Sequence, residues 1–264
     1  MRQSLRWTII LSLPLLIVSP TGAFIPLAQQ NQPAGGPAQG VTESIPLPVD
    51  AWTDFLSRYP GSWKIDWDAG RGSPRAIYGA SLEISPGGLL PESLLEERIL
   101  SFVDANRELF GAGAADLAPL GMNLRGRLFY ANFQQVAGGA PVYGGHLQVR
   151  LRRDGSIVAI SSKIYRGATE SQAPAVPAER ASMTAKQDAF FAAETDIAME
   201  PVLVLYPHVV SGEWQFPTAW LVELVTRETP GHWFYMIDAS SGTITAPTES
   251  CLPKRFPQAY ASHG

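Results

Sequence analysis

The sequence predicts an α+β protein with two units, each a helix packed on an antiparallel β-sheet. Three observations support this class. The 264 residues are 45% hydrophobic and 17% charged, which provides enough apolar material for a packed core. The 22 prolines and 24 glycines are many for an all-helical protein and favour strands joined by turns. Helical and alternating apolar patterns also follow one another twice along the chain.

The first residues carry the features of an export signal. Arg2 and Arg6 precede an apolar run that ends at Val18, and small residues lead up to Ala23. This pattern predicts a signal peptide over residues 1–23, cleaved after Ala23. The alternative is an uncleaved membrane anchor, but the run is too short to cross a bilayer comfortably. We therefore expect a secreted protein, periplasmic or extracellular, with no membrane contact after cleavage.

The first predicted unit covers residues 49–166 and follows a flexible tether at residues 24–48, which is rich in Gln, Pro and Gly. Apolar residues at helical spacing indicate its first helix: Trp52, Phe55, Leu56 and Tyr59. Alternation then predicts strands over residues 63–67 and 75–84. A longer helix is predicted over residues 91–109. Its apolar stripe is Leu94, Leu95, Ile99, Phe102 and Val103, and Gly111 is the left-handed cap.

Three further strands are predicted over residues 128–136, 142–151 and 157–165. Hairpin turns at Gly138-Gly139 and Asp154-Gly155 separate them. The middle strand alternates: Tyr143, Leu147, Val149 and Leu151 share one face, and His146, Gln148, Arg150 and Arg152 share the other. This alternation predicts an antiparallel sheet with one face on the core and the other toward solvent.

A linker with two prolines is predicted over residues 167–179, and a second unit over residues 180–246. Within the second unit we expect a helix over residues 184–199, then three strands over residues 202–206, 218–226 and 233–237. A turn from Asp238 to Gly242 leads to a short strand at residues 243–245, and residues 247–264 form a tail.

The sequence contains no recognisable catalytic motif. It has four histidines, none in a His-Glu-x-x-His pattern, and a single cysteine, Cys251. It also lacks a Gly-x-Ser-x-Gly elbow and a phosphate-binding loop. His146 lies on the polar strand face, where exposure is far more common than metal binding. The net charge of −4, without a basic stripe, argues against nucleic acid. We therefore expect no enzyme activity, no bound metal and no cofactor.

Two other features leave a structural and a recognition role open. Gln134 and Gln135 lie in a strand, so one of them must point inward, where its amide needs partners. We expect it to brace a turn or a neighbouring strand. The second unit is rich in aromatic residues, which can form its core or a patch for a partner: Trp214, Phe216, Trp220 and Trp233.

Several motifs, in order, resemble the propeptide domain of fungalysin-like and thermolysin-like zinc metallopeptidases, the FTP domain. They are a helix end, a strand, a Pro-Val-x-Gly-Gly arm and a turn: Asn106, Leu109, Phe110 and Gly111; Phe133, Gln134 and Gln135; Pro141, Val142, Gly144 and Gly145; Asp154 and Gly155. The second unit resembles the PepSY domain, with its closing turn at Asp238 and Gly242. Lys254-Arg255 resembles a processing site.

The resemblance implies a propeptide that assists folding of a secreted zinc metallopeptidase and inhibits it until cleavage, in cis or in trans. The expected function is therefore that of a non-catalytic chaperone-inhibitor module. Two alternatives stay open at this point. One is a truncated precursor whose catalytic domain is absent, and the other is a stand-alone binding module of the cell envelope.

Overall fold

The computed structural model describes residues 45–84, 91–169, 173–227 and 231–245, together with the backbone of residues 248–251. The predicted signal peptide with Ala23, most of the tether and the Lys254-Arg255 pair lie outside the described residues. The described chain is α+β, with four α-helices and one large mixed sheet within these ranges.

The described elements follow this order along the chain. The helices are α1 (Val49–Arg58), α2 (Glu92–Ala105), α3 (Arg107–Phe110) and α4 (Ala178–Asp188). The strands up to residue 163 are β1 (Lys64–Asp68), β2 (Ser73–Glu83), β3 (Leu117–Arg125), β4 (Leu128–Ala137), β5 (Ala140–Arg152) and β6 (Ser156–Lys163). The later strands are β7 (Ile197–Ala198), β8 (Val202–Leu205), β9 (His208–Val210), β10 (Glu213–Gln215), β11 (Thr218–Thr226), β12 (Gly231–Asp238) and β13 (Thr248–Cys251).

Eleven of the described strands form a single sheet, in which the path β1-β2-β6-β5-β8-β11-β12-β13 is extended by β3 and β4 beside β5 and by β7 beside β11. All the neighbours pair antiparallel except β5 and β8, which run parallel and meet at Val142 and Leu205. This junction divides the sheet into an N-terminal half, β1–β6, and a C-terminal half, β7, β8 and β11–β13. Strands β9 and β10 form a separate hairpin.

The N-terminal half of the sheet is covered by helices on one face. Side chains from α1, α2 and α3 and from the inner faces of β1–β6 form one core, and several of its members are fully buried: Phe55, Ile99, Val103, Phe110, Ile77 and Val149. Phe55 is in contact with Trp52, Tyr59, Trp63 and Phe102 at ring centroid distances of 4.9–6.3 Å. The aromatic spacing that predicted the first helix therefore also supplies the centre of the core.

The C-terminal half carries apolar residues on both faces. On one face, Ala181 and Ala185 of α4 pack against a cluster of strand residues: Val222, Leu224, Tyr235 and Ile237. On the other face lies a second cluster: Val204, Ala219, Leu221, Phe234 and Met236. Alternation along β11 distributes its residues between these two clusters, as the period of a strand requires.

The predicted long helix over residues 91–109 is divided at Asn106. Helix α2 ends at Ala105, and α3 continues from Arg107 to Phe110. The Asn106 amide is buried, and its Nδ2 donates to Phe102 O at 2.7 Å, a bond that holds the chain at the break. Gly111 has φ +78° and caps α3, as predicted. The predicted stripe is buried except at Leu94, which is 46% exposed.

The predicted helix over residues 184–199 is wrong in position, since α4 runs from Ala178 to Asp188. Pro177 precedes its first turn, where proline fits because no backbone donor is needed there. The helix stops before Phe190, which has φ +52° and is 93% exposed. The segment after it is a turn held by Asp196, whose carboxylate accepts from the backbone N–H groups of Ala192 and Arg227. Phe191, which favoured a helix by its hydrophobicity, packs on the core from this turn.

Strand β3 and the β9–β10 hairpin were absent from the sequence-based prediction. Strand β3 contains Pro119 and Gly121, two residues that disfavour strands, and its pairing with β4 shifts register between them. The two strands of the hairpin are three residues each, too short to give a detectable alternation.

Candidate binding surface

The adjacent glutamines of β4 hold the start of β5 in place. Both side chains are buried, at 5% and 3% exposure. Gln134 Nε2 donates to the carbonyl oxygens of Val142, Gly145 and Gln135 at 2.7–3.0 Å. Gln135 bonds Tyr165 in both directions, from Nε2 to Tyr165 O at 2.8 Å and from Tyr165 N to Oε1 at 2.9 Å. The expected bracing role is thus observed, and it involves both glutamines.

The Pro141 to Gly145 arm changes the direction in which β5 side chains point. Val142 and Leu147 are both buried although they are five positions apart, an odd number, so the alternation is interrupted between them. Gly144 has φ +70°, a conformation that glycine adopts without strain. A Cβ on Gly145 would lie 2.7 Å from Gln135 Oε1, so a larger residue there would displace the Gln135 side chain. The prediction that Tyr143 shares the face of Leu147 is therefore wrong, and Tyr143 packs against the C-terminal half instead.

The arm is also the junction between the two halves of the sheet. Four buried residues form the apolar contact there, namely Ala140, Val142, Tyr165 and Leu205, with Trp214 and Phe216 packed on them. Trp214 lies edge-on to Tyr165 at 5.0 Å, and its Nε1 donates to Gly70 O at 2.6 Å. Trp220 Nε1 donates to Val176 O at 2.8 Å, and Trp233 Nε1 to Thr226 Oγ1 at 2.8 Å. These aromatic residues are therefore half-buried and pack against the core clusters.

Cationic groups lie close together beside the junction. Burial lowers the pKa of His146, although its contact with Gly144 O opposes this shift and the positive charges of Lys163 and Arg71 add to it. Burial also lowers the pKa of Lys163, and Arg71 contributes again. The predicted exposure of His146 is only partly met, since the side chain is half-buried with Nδ1 3.2 Å from Gly144 O.

The face of β1–β6 opposite the helices is polar, and we call it the outer face. Three rows of paired residues cross it: Arg125, Leu128 and Arg152; Asn123, Tyr130, Arg150, Ala159, Tyr78 and Lys64; Gly121, Asn132, Gln148, Ser161, Ala76 and Asp66. Among these, the side chains with a formal charge are four cations and one carboxylate. The predicted polar face of β5 is therefore the centre of a wider polar surface.

The arginines at one end of the outer face have no ion pair within the described residues. Arg127 and Arg153 extend the cationic group beyond the rows, at the tips of the β3–β4 and β5–β6 hairpins. A shallow groove between the tips is lined by Arg127, Leu128, Arg152, Arg153 and Asp154. The Asp154 carboxylate instead accepts from Ser156 N at 2.9 Å, and this bond lowers the pKa of Asp154.

The other predicted motif residues have structural roles in the core, in helix caps and in turns. Phe110 is fully buried in the core of the N-terminal half. Asp154 and Gly155 form the turn between β5 and β6. Asp238 accepts from the backbone N–H groups of Ser240 and Ser241 at 2.9 and 2.7 Å. The bond from the Ser240 hydroxyl, together with these backbone bonds and the Ser241 hydroxyl, lowers the pKa of Asp238. Gly242 closes the same turn by donating from its N–H to Asp238 O at 2.8 Å.

The described part of the chain offers no metal centre. Within it, no three His, Cys, Asp or Glu residues are grouped closely enough to hold a metal ion. His232 and Glu223 form a pair at 2.6 Å between β12 and β11, without a third candidate ligand. No helix in the described ranges has the length and hydropathy required to span a bilayer.

Comparison with known proteins identifies a propeptide-type motif. Residues 130–164, which run from β4 to the end of β6, match the Fungalysin/Thermolysin Propeptide Motif. The motif region contains both buried glutamines, the Pro141 to Gly145 arm and much of the outer face. Curated proteins give no match to the chain.

Among solved structures, the chain is similar to the Bacillus megaterium YpeB C-terminal domain. The identity is 11% and the TM-score 0.37, over 79% of this chain and 98% of that one. A similarity at this level does not establish a common fold.

The sequence-based prediction missed the outer face as a unit. Arg150 and Arg152 were placed on a solvent face, but Arg125 lies in β3, which the prediction did not include. Only the register of β3 against β4, and of β4 against β5, brings Arg125 and Arg152 to opposite sides of Leu128. A count of charged residues along the sequence could have identified this cationic surface. Asp154 follows directly after the segment 125–153, which holds no carboxylate and five arginines: Arg125, Arg127, Arg150, Arg152 and Arg153.

Proposed function

We propose that this protein is a non-catalytic, propeptide-like module that binds a secreted zinc metallopeptidase, assists its folding and inhibits it, in cis or in trans. The observation that carries the proposal is the match of residues 130–164 to the Fungalysin/Thermolysin Propeptide Motif. In this reading residues 180–246 serve as a PepSY-like second unit, and the chain acts after export to the periplasm or the extracellular space.

The construction of the motif region supports a binding role. The two glutamines make four hydrogen bonds to the backbone of the arm and of Tyr165, and these bonds hold the hairpin in the observed conformation. A preformed surface binds with a smaller entropic cost than one that must be ordered. The segment therefore has the rigidity that a template for a folding partner needs.

The lack of catalytic chemistry agrees with a role exerted through binding. The sequence holds no His-Glu-x-x-His, so the chain cannot supply the two imidazoles and the glutamate that a zinc peptidase of this type requires. The proposed partner supplies the zinc and the reaction.

Refolding and inhibition assays test the proposal. Denatured thermolysin-like and fungalysin-like catalytic domains are diluted into buffer with or without the purified chain, and recovered peptidase activity is measured after the chain is removed by proteolysis. The folded enzymes are assayed in parallel with increasing amounts of chain. We expect a higher refolding yield and a dose-dependent loss of activity for at least one enzyme.

Two glutamine variants control for non-specific effects. Gln134→Ala removes the brace of the motif arm, whereas Gln187→Ala makes the same chemical change on an exposed position of α4. We expect the first to weaken both activities and the second to leave them unchanged. Absence of any effect of the wild-type chain on refolding and on activity, across the set of enzymes, would refute the proposal.

A further inference from the structure

We propose that the outer face is a docking surface for an acidic protein surface. The inference deepens the proposed function, since in that setting the acidic surface belongs to the peptidase. It concerns the polar face of β1–β6, and in particular the arginines around Tyr130.

The charge of the outer face is opposite to that of the whole chain. The chain carries a net charge of −4, yet the three rows hold four cations, Arg125, Arg150, Arg152 and Lys64, and one carboxylate, Asp66. Glu83, which pairs with Ser156 beyond the first row, is a further carboxylate on this face. Asp66 is itself neutralised, because Arg75 Nη1 lies 3.5 Å from its Oδ2. A cationic surface on an acidic protein attracts anionic groups.

One arginine of the face is held in a defined orientation. Arg150 Nε donates to Gln148 Oε1 at 3.3 Å, and its guanidinium lies 5.6 Å from the centre of the Tyr130 ring. Gln148 Nε2 donates in turn to Asn132 Oδ1 at 2.9 Å, and Asn132 Nδ2 to Tyr130 O at 3.1 Å. These contacts use Nε and leave the terminal nitrogens of Arg150 without an acceptor in the described residues. A preoriented guanidinium with two free nitrogens is suited to a carboxylate.

The composition of the face favours an acidic protein over a phosphate or sulfate polymer. Tyr78 is 45% exposed, and Leu128 and Tyr130 are half-exposed between the arginines. Tyrosine and arginine together are typical of protein–protein contact residues, whereas phosphate or sulfate polymers need cationic groups alone. The second row crosses six strands and so spans about 24 Å, which is wide enough for a folded partner.

Two charge-reversed variants with the same net charge separate this site from general electrostatics. Arg125→Glu with Arg152→Glu changes the outer face at positions whose side chains make no hydrogen bond or ion pair within the described residues. Arg98→Glu with Arg180→Glu changes exposed positions on α2 and α4 by the same amount. Circular dichroism and urea unfolding establish that both variants fold as the wild type does.

Binding to poly-L-glutamate is measured first, by titration at low and at physiological salt, with polyphosphate as the comparison polymer. We expect the wild type and the Arg98/Arg180 variant to bind poly-L-glutamate equally. The Arg125/Arg152 variant should bind at least about tenfold more weakly, with a smaller salt dependence. Equal binding by both variants, no binding by the wild type, or binding of polyphosphate alone would overturn the inference.

Inhibition of an enzyme that the wild type inhibits is measured next with the same variants. Here we expect the outer-face variant to lose at least about tenfold in potency and the control variant to keep it. Full potency of the outer-face variant would overturn the docking inference and leave the proposed function intact. The wild type could also inhibit no enzyme while its binding to poly-L-glutamate depends on Arg125 and Arg152. That result would refute the proposed function but support the inference that the outer face binds an acidic protein surface.

Discussion

The two halves of the sheet differ in what lies on their second face. In both halves one face is packed against helices, α1–α3 in the first and α4 in the second. The remaining face of the C-terminal half is apolar, with Met236 and Val204 fully buried there. The remaining face of the N-terminal half is polar and carries arginines. An apolar second face must be covered for the sheet to be stable, whereas a polar one is free to meet a partner.

The comparison assigns different tasks to the two halves. Tyr143 of the arm and Tyr206, which follows β8, pack on the apolar second face of the C-terminal half, so this half supports the arm of β5. The N-terminal half then presents its polar face outward. Binding is therefore expected on the N-terminal half, and stability of the arm is expected to depend on both.

The largest expected effect is a contrast between the two faces of the N-terminal half. Phe110→Ala removes a fully buried ring from the core and should lower the free energy of unfolding by about 3–5 kcal/mol. Tyr130→Ala on the outer face removes a contact with Arg150 and should cost about 1 kcal/mol or less. Urea unfolding followed by far-UV circular dichroism measures both. Similar losses for the two variants would mean that the outer face is covered in solution.

The second effect tests the brace. In Gln134→Ala the carbonyls of Val142 and Gly145 lose their donor while they stay buried, so we expect a loss of about 1–3 kcal/mol in the free energy of unfolding. The matched variant Gln187→Ala, on an exposed helix position, should stay within about 0.5 kcal/mol of the wild type. Hydrogen exchange of the β5 amides should increase in the first variant alone.

How well the sequence predicted each half follows from the length and regularity of its elements. The ranges of β4, β5, β6 and β11 were predicted within a few residues, because each is a long strand with alternating residues or a continuous apolar run. Helix α4 was misplaced, because Phe190 and Phe191 gave an apolar signal beyond its end. Phe191 satisfies that signal from a turn, and Phe190 is exposed.

The candidate site was predicted only in part. A buried amide must find partners, so a bracing glutamine followed from Gln134 and Gln135 alone. The identity of the partners did not, because Val142, Gly145 and Tyr165 reach the glutamines through strand pairing and through the left-handed turn at Gly144. The arginine group of the outer face depends on the register of β3, β4 and β5, a long-range property that local periodicity does not contain.

The third effect concerns the junction between the halves. Trp214→Phe keeps an aromatic ring against Tyr165 but removes the donor to Gly70 O, and the free energy of unfolding should fall by about 0.5–1.5 kcal/mol. Trp233→Phe, which removes the donor to Thr226 within the C-terminal half, is the matched change away from the junction. Tryptophan fluorescence and circular dichroism should give coincident transitions in the wild type and in the Trp233 variant. If the junction couples the halves, these transitions should separate in the Trp214 variant.

The smallest effect is a pH dependence that arises from the junction. Burial lowers the pKa of His146 below its ordinary value of 6.5, and Lys163 and Arg71 add positive charge nearby. As the pH falls, the unfolded chain therefore takes up this proton before the folded chain does. Stability should decrease as the pH drops below about 6.5, until the folded imidazole is also protonated.

The variant His146→Gln isolates this contribution. It should remove the decrease in the free energy of unfolding just below pH 6.5, measured by urea titration at closely spaced pH values. The decrease below pH 4 should remain, because the carboxylates of Asp196 and Asp238 accept hydrogen bonds that lower their pKa, and their contribution to stability is lost only in that range. An unchanged profile between pH 5 and 6.5 would show that the imidazole is protonated as readily in the folded as in the unfolded chain, and that the cationic groups beside the arm are solvated rather than buried.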